Sequence, residues 1–103
     1  MIHFIKVKYY SWNSDKNREL IEEREISFED IVFYISKGFL LDTIKNPNQI
    51  KYKDQKIFIV NVEGYAYLVP FVESEDELFL KTIIPSRKAT KFYLGGKKEW
   101  KEK

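Results

Sequence analysis

The dipeptide Glu63-Gly64 constrains this chain more than any other pair of residues. It separates two β-branched and aromatic runs, Gln55 to Val62 and Tyr65 to Val72. A two-residue link ending in glycine between such runs predicts a tight β-hairpin. Ile57, Ile59 and Val60 make the first run a buried strand. Pro70, which has no N–H to offer a neighbour, suggests an edge position or a strand end for the second.

The hairpin sits inside a longer alternation. Residues 2–10 read as a first strand. Asn13-Ser14 caps a helix over Asp15 to Glu23, with Leu20 and Ile21 facing inward and Lys16 beside the buried face. Ser27 caps a second helix, and Asp30 reaches back to it as a capping-box acid. Ile31, Phe33, Tyr34 and Ile35 continue inward to a stop at Gly38. Residues 39–44 form a strand and Asn46-Pro47-Asn48 a turn. After the hairpin come an acidic turn at Ser74 to Glu77 and a last strand from Phe79 to Ile84. Pro85 ends that strand, Ser86 caps a short basic helix, and Gly95-Gly96 closes it. The expected fold class is α+β: an antiparallel sheet of about four to five strands, with a helical hairpin near the N-terminus, a short C-terminal helix and helices on one face.

A chain of 103 residues is the size of one domain. We read 1–103 as that domain, with 97–103 as a charged tail. The aromatic share of 17% supplies core volume without disulfides. No cysteine is present, so a disulfide framework and a thiolate metal site are excluded, and a reducing, cytoplasmic setting is expected. The single His3 is too little for a histidine-rich zinc site. No cofactor and no metal are expected. No apolar run approaches the roughly 20 residues that span a membrane, and no signal-peptide pattern opens the chain, so no membrane partner is expected.

Net charge is +2, but its distribution is uneven. Residues 1–80 carry ten Lys or Arg against fourteen Asp or Glu, and residues 81–103 carry eight against two. The last fifth of the chain is where a polyanion is attracted. Its centre is Lys81-Thr-Ile-Ile-Pro-Ser-Arg87-Lys88-Ala-Thr-Lys91-Phe-Tyr93. Arg87 suits a phosphate because its planar fork grips two oxygens, the structural alternative being a salt bridge to Glu73 or Asp76. Lys88 and Lys91, three apart on a helix, suit flanking phosphates. Tyr93 suits stacking on a base or proton donation, against a half-buried core role. Lys16 and Arg24 join Arg87 if the first helix packs near the strand before Pro85. Lys16 reads equally as a surface residue, and Arg24 as a favourable charge at a helix C-terminus. Glu22, Glu23 and Glu29 are possible bases, Glu29 also having a structural place in a first helical turn. Basic and aromatic residues of the first strand, Phe4, Lys6, Lys8 and Tyr9, offer a second nucleic-acid surface.

Two segments carry a resemblance to a known family. One is Trp12-Asn-Ser-Asp-Lys16 leading to Arg24-Glu-Ile26-Ser27-Phe28-Glu29. The other is Ile83-Ile-Pro-Ser-Arg87-Lys88-Ala89-Thr90-Lys91. In this order they resemble the BrnT family of bacterial toxins, within the wider group of RelE-like ribonuclease folds. Arg24-Glu25 stands where the family usually has His-Gly. The resemblance implies a type II toxin that cleaves RNA without metal and inhibits translation. In that reading Arg87, Lys16 and Arg24 are catalytic and Lys88, Lys91 and Tyr93 bind substrate. It also implies a small DNA-binding antitoxin of ribbon-helix-helix type as partner, with operator DNA reached only through it. The alternative is the same fold with a degenerate site, kept as an interaction module for an antitoxin or nucleic acid.

Overall fold

The computed structural model describes residues 7–95. The elements run β1 (Tyr9–Ser11), α1 (Ser14–Arg24), α2 (Phe28–Ser36), β2 (Leu40–Lys45), β3 (Lys56–Val62), β4 (Tyr65–Glu73), β5 (Glu77–Leu80), β6 (Ile84–Pro85) and α3 (Arg87–Thr90). A π-helical turn, Lys91–Gly95, continues α3. The chain is α+β, as expected, with two helices before the meander and a short one after it. His3, Phe4, Lys6 and the tail 97–103 lie outside the described residues, and of the expected first strand only its last part, from Tyr9, is described as strand.

Both N-terminal helices begin as their sequences dictate. The Asn13 side chain accepts from Lys16 N at 2.8 Å. Ser27 and Asp30 exchange both bonds of a capping box. The β3–β4 hairpin turns through Glu63 and Gly64, both in the left-handed region at φ 52° and 91°. Two positive φ values give the twist that joins antiparallel strands through two residues, and glycine takes the second at no steric cost.

The sheet order is β1-β5-β4-β3-β2, with β6 also on β4. All pairings are antiparallel except β1 with β5, where Tyr9 stands opposite Glu77 in a parallel register. The sheet is therefore mixed, because the chain enters it before the helical hairpin and returns along the same side. Alternation splits β3 and β4 between two cores. Phe58, Val60, Val69 and Phe71 pack with Leu20, Ile26, Phe28 and Ile31 of the helical hairpin. Ile57, Ile59 and Ala66 pack with Ala89, Tyr93 and Leu94. Helices thus cover both faces, where the sequence suggested one. The α3 face is narrow, and a four-residue helix with a turn suffices to cover part of it.

Three expectations about side-chain direction are corrected. Ile21 is 47% exposed and Phe33 53%. Each lies off its helix's buried stripe, which runs through Leu20 in α1 and through Phe28, Ile31 and Ile35 in α2 at spacings of three and four. Pro70 is in a central strand and buried, not at an edge.

The strand expected from Phe79 to Ile84 is broken. Phe71 pairs with Leu80 and Leu68 pairs with Ile84, so three residues, Lys81–Ile83, stand opposite two, Val69 and Pro70. This is a β-bulge. The Pro70 carbonyl accepts from Lys81 N at 2.8 Å, so its ring nitrogen also faces this side, where it has no hydrogen to donate. A regular ladder there would leave an acceptor unfilled, and the extra residue carries the chain past the gap.

Candidate functional site

The bulge delivers the chain to α3 on fixed supports. Ser86 N donates to Ala66 O at 3.0 Å, and the Ser86 hydroxyl accepts from Ala89 N at 3.0 Å. Thr90 Oγ1 donates to Ser86 O and accepts from Ala66 N, each at 2.8 Å. With Ser86 and Thr90 turned to β4, Arg87 and Lys88 are left exposed, and so is Lys91 in the turn that follows. None of these three cations pairs with a carboxylate among the described residues. Glu73 is held instead by Lys8 and, at 3.3 Å, by Lys56. Hydrogen bonds from Lys8 and then Lys56 hold its carboxyl below the usual range. The Ser86 side chain already fills one N–H of the short helix, so attraction for an anion rests on the guanidinium and ammonium charges.

The other expected site residues fall in two places. The Arg24 guanidinium donates to the main-chain carbonyl of Ile83, in the bulge four residues before Arg87. The structure therefore brings Arg24 to the approach to α3. Lys16 lies eight residues earlier on α1, about 12 Å along the helix axis, and contacts Glu19 at 3.3 Å. It is not drawn to the bulge with Arg24. Tyr93 is half-buried, and its hydroxyl donates to Asp42 Oδ2 at 2.7 Å. That hydrogen bond, with burial and the Asp42 charge, raises its pKa above the ordinary 10.0. Among the suggested bases, Glu22 and Glu23 are exposed on α1. Glu29 accepts from Asn17 Nδ2 at 2.8 Å, which gives it a structural role.

A second concave region was not marked by any motif. Glu25, Ile26, Asp30, Tyr34, Val62, Glu63, Tyr65 and Tyr67 line a cleft of about 410 Å³. Glu25 follows Arg24 directly, and Tyr67 pairs through its backbone with Pro85. The cleft thus lies between the end of α1 and the strand that leads into α3. Tyr34 donates to Glu63 Oε2 at 3.3 Å, and its pKa is raised by burial and then by Glu63. Asp30 is committed to its capping box. No sequence signal locates the cleft, because its residues come from two separate segments, 25–34 and 62–67, that only the fold assembles.

Comparison with protein-family models, with curated proteins and with solved structures returns no match to this chain.

Proposed function

We propose that the chain is the toxin of a type II toxin–antitoxin pair, a BrnT-like, metal-independent endoribonuclease that inhibits translation. The observation that carries the reading is Arg87: exposed, free of any carboxylate partner among the described residues, and set on a short helix that Ser86 and Thr90 fix to β4. In this mechanism Arg87 grips the scissile phosphate through two parallel N–H bonds and stabilises its developing charge. Lys88 and Lys91 hold neighbouring phosphates. Arg24 spends one donor on Ile83 and keeps others for the substrate. A base, for which this reading takes Glu25 in the cleft beside Arg24, removes the 2′-hydroxyl proton. The 2′-oxygen then attacks phosphorus, the P–O5′ bond breaks to leave a cyclic phosphate, and the leaving 5′-oxygen takes up a proton from solvent. A ribbon-helix-helix antitoxin is the partner in this reading.

Inducible expression tests it. The wild-type chain arrests growth and protein synthesis, and the purified chain cuts RNA. Arg87→Ala lowers cleavage by about 100-fold or more, the usual cost of removing a group that stabilises transition-state charge. A wild-type chain that is harmless at high expression and leaves RNA intact removes the enzyme reading.

A second reading, a degenerate RelE-like interaction module, is favoured by one set of observations. Lys16, Arg24 and Tyr93 each have an intramolecular partner: Glu19, the Ile83 carbonyl and Asp42. Residues so occupied serve stability without any chemistry. The RNA-cleavage assay separates the two readings, since both bind a partner and only one cuts.

A further inference from the structure

Phe92 is 77% exposed, the highest value for any aromatic residue among the described ones. Single exposed apolar residues are common and carry no message. This ring is distinguished by its company. It lies in the π-helical turn four residues after Lys88 and beside Lys91, with Arg87 one helical turn before Lys91. Residues 81–95 contain four Lys or Arg and no Asp or Glu. Ala89 and Tyr93 take the inward positions against Ile57, Ile59 and Ala66, so Phe92 and the three cations share the outward side.

Among the described residues the ring is also uncovered, and it is braced. Two other exposed rings, Phe33 and Tyr52, each have a lysine ammonium over a face, at 5.6 Å and 5.3 Å. No described cation covers Phe92. Its neighbour Tyr93 stands nearly perpendicular at 4.8 Å and 81°, and Tyr93 is itself tied to Asp42. An aromatic face uncovered among the described residues, beside cations with no carboxylate partner among them, matches one ligand chemistry well. A single-stranded nucleic acid offers phosphates to the cations and a base to the ring, and base–aromatic stacking tolerates any sequence. A carboxylate-rich peptide would satisfy the cations but leave the ring without a planar partner.

We infer that Phe92 is a base-stacking residue, and that with Arg87, Lys88 and Lys91 it forms a binding platform for single-stranded RNA. The inference rests on the RNA reading above and adds to it the residue that receives a base. It adds to the aromatic-and-basic surface expected on the first strand, of which Phe4 and Lys6 lie outside the described residues and Lys8 is held by Glu73.

The test uses the whole chain and a fluorophore-labelled single-stranded RNA of mixed sequence, methylated at its 2′-hydroxyls so that it binds without being cut. Affinity is measured over a salt series. Phe92→Ala weakens binding by about 5- to 150-fold, the range of a lost base stack. The salt slope stays unchanged, because no phosphate contact is lost. Lys88→Ala and Lys91→Ala each flatten that slope by about 0.7. Phe92→Trp restores affinity, and the emission it adds over wild type is quenched by the RNA, a signal that a structural role would not produce. If wild type binds and Phe92→Ala binds equally well, the stacking inference falls and the RNA reading stands. If wild type fails to bind even at low salt, both fall. If Phe92→Ala spares the RNA and loses a purified protein partner, the ring is a protein contact and the inference is overturned.

Discussion

The Arg24 guanidinium donates to the main-chain carbonyl of Ile83, 59 positions further along the chain. The bond ties the C-terminal end of α1 to the bulge that precedes α3. The bulge exists because Pro70 interrupts the ladder, and its freed carbonyl gives the arginine something to hold. Arg24→Ala leaves that partly buried acceptor without its donor and costs about 1–2 kcal/mol in urea denaturation. Amide exchange at residues 81–86 accelerates in the same variant. Arg24→Lys keeps the charge but loses the planar fork and restores only part of the stability. Equal losses of stability and of RNA cleavage across both variants assign Arg24 to positioning. Cleavage lost far beyond stability assigns it to the substrate.

Asn17 joins the two N-terminal helices. Its Oδ1 accepts from Phe28 N at 2.7 Å, and its Nδ2 donates to Glu29 Oε1 at 2.8 Å. Phe28 is wholly buried and stacks on Trp12 with ring centroids 5.5 Å apart. Asn17→Ala leaves the Phe28 N–H unpaired at the first turn of α2 and lowers stability by about 1–2 kcal/mol. Asn17→Asp keeps the acceptor but sets a second carboxylate beside Glu29, so its deficit shrinks as acid protonates the pair. A chemical-denaturation series at neutral and mildly acid pH reads both effects.

The helix starts and the hairpin were legible in the sequence because their causes are local. Asn13, Ser27 and Ser86 cap the residues that follow them, and Glu63-Gly64 turns on its own dihedral angles. Contacts made by distant partners were not legible. The Asn17 bonds depend on how α2 returns to α1. The bulge depends on Pro70 meeting a strand that begins seven residues later. Arg87 was legible as an exposed cation, but its freedom from Glu73 depends on the fold, which anchors α3 beside Ala66 near the start of β4 and leaves Glu73 at that strand's end. Phe92 looked like the end of a helix until the fold turned Tyr93 inward and left its neighbour outside.

Glu73 contributes to the acid side of the stability profile. Lys8 and Lys56 hold its folded pKa below the ordinary 4.5. Its contribution is present above pH 4.5 and disappears as pH falls through the lowered folded value. Lys8→Ala removes the larger cause. The variant's deficit against wild type is full at neutral pH and closes in acid, as read by midpoint in a denaturant series at each pH. High salt also narrows the gap, because the pair is solvent-exposed and screened. A deficit independent of both pH and salt would show that Lys8 acts through packing of its stem.

Tyr93 contributes to the alkaline side, as do Tyr10 and Tyr34, whose pKa values are also raised. The Tyr93 hydroxyl bond to Asp42, burial and the Asp42 charge all favour the protonated phenol, so its folded pKa lies above the unfolded 10.0. The contribution is present below pH 10 and is lost as pH rises through the folded value. Tyr93→Phe deletes the donor and leaves the Asp42 carboxylate to solvent. The variant is less stable than wild type by about 1 kcal/mol at neutral pH, and the gap closes in strong alkali, where wild type loses the same bond. On the proposed RNA platform the effect would be read through Phe92, whose ring Tyr93 meets nearly perpendicularly. Tyr93→Phe keeps both rings, so RNA affinity falls less than in Phe92→Ala. Tyr93→Ala removes the brace and falls to the level of Phe92→Ala. Tyr93→Ala binding as wild type does would show that Phe92 holds its position without the neighbouring ring.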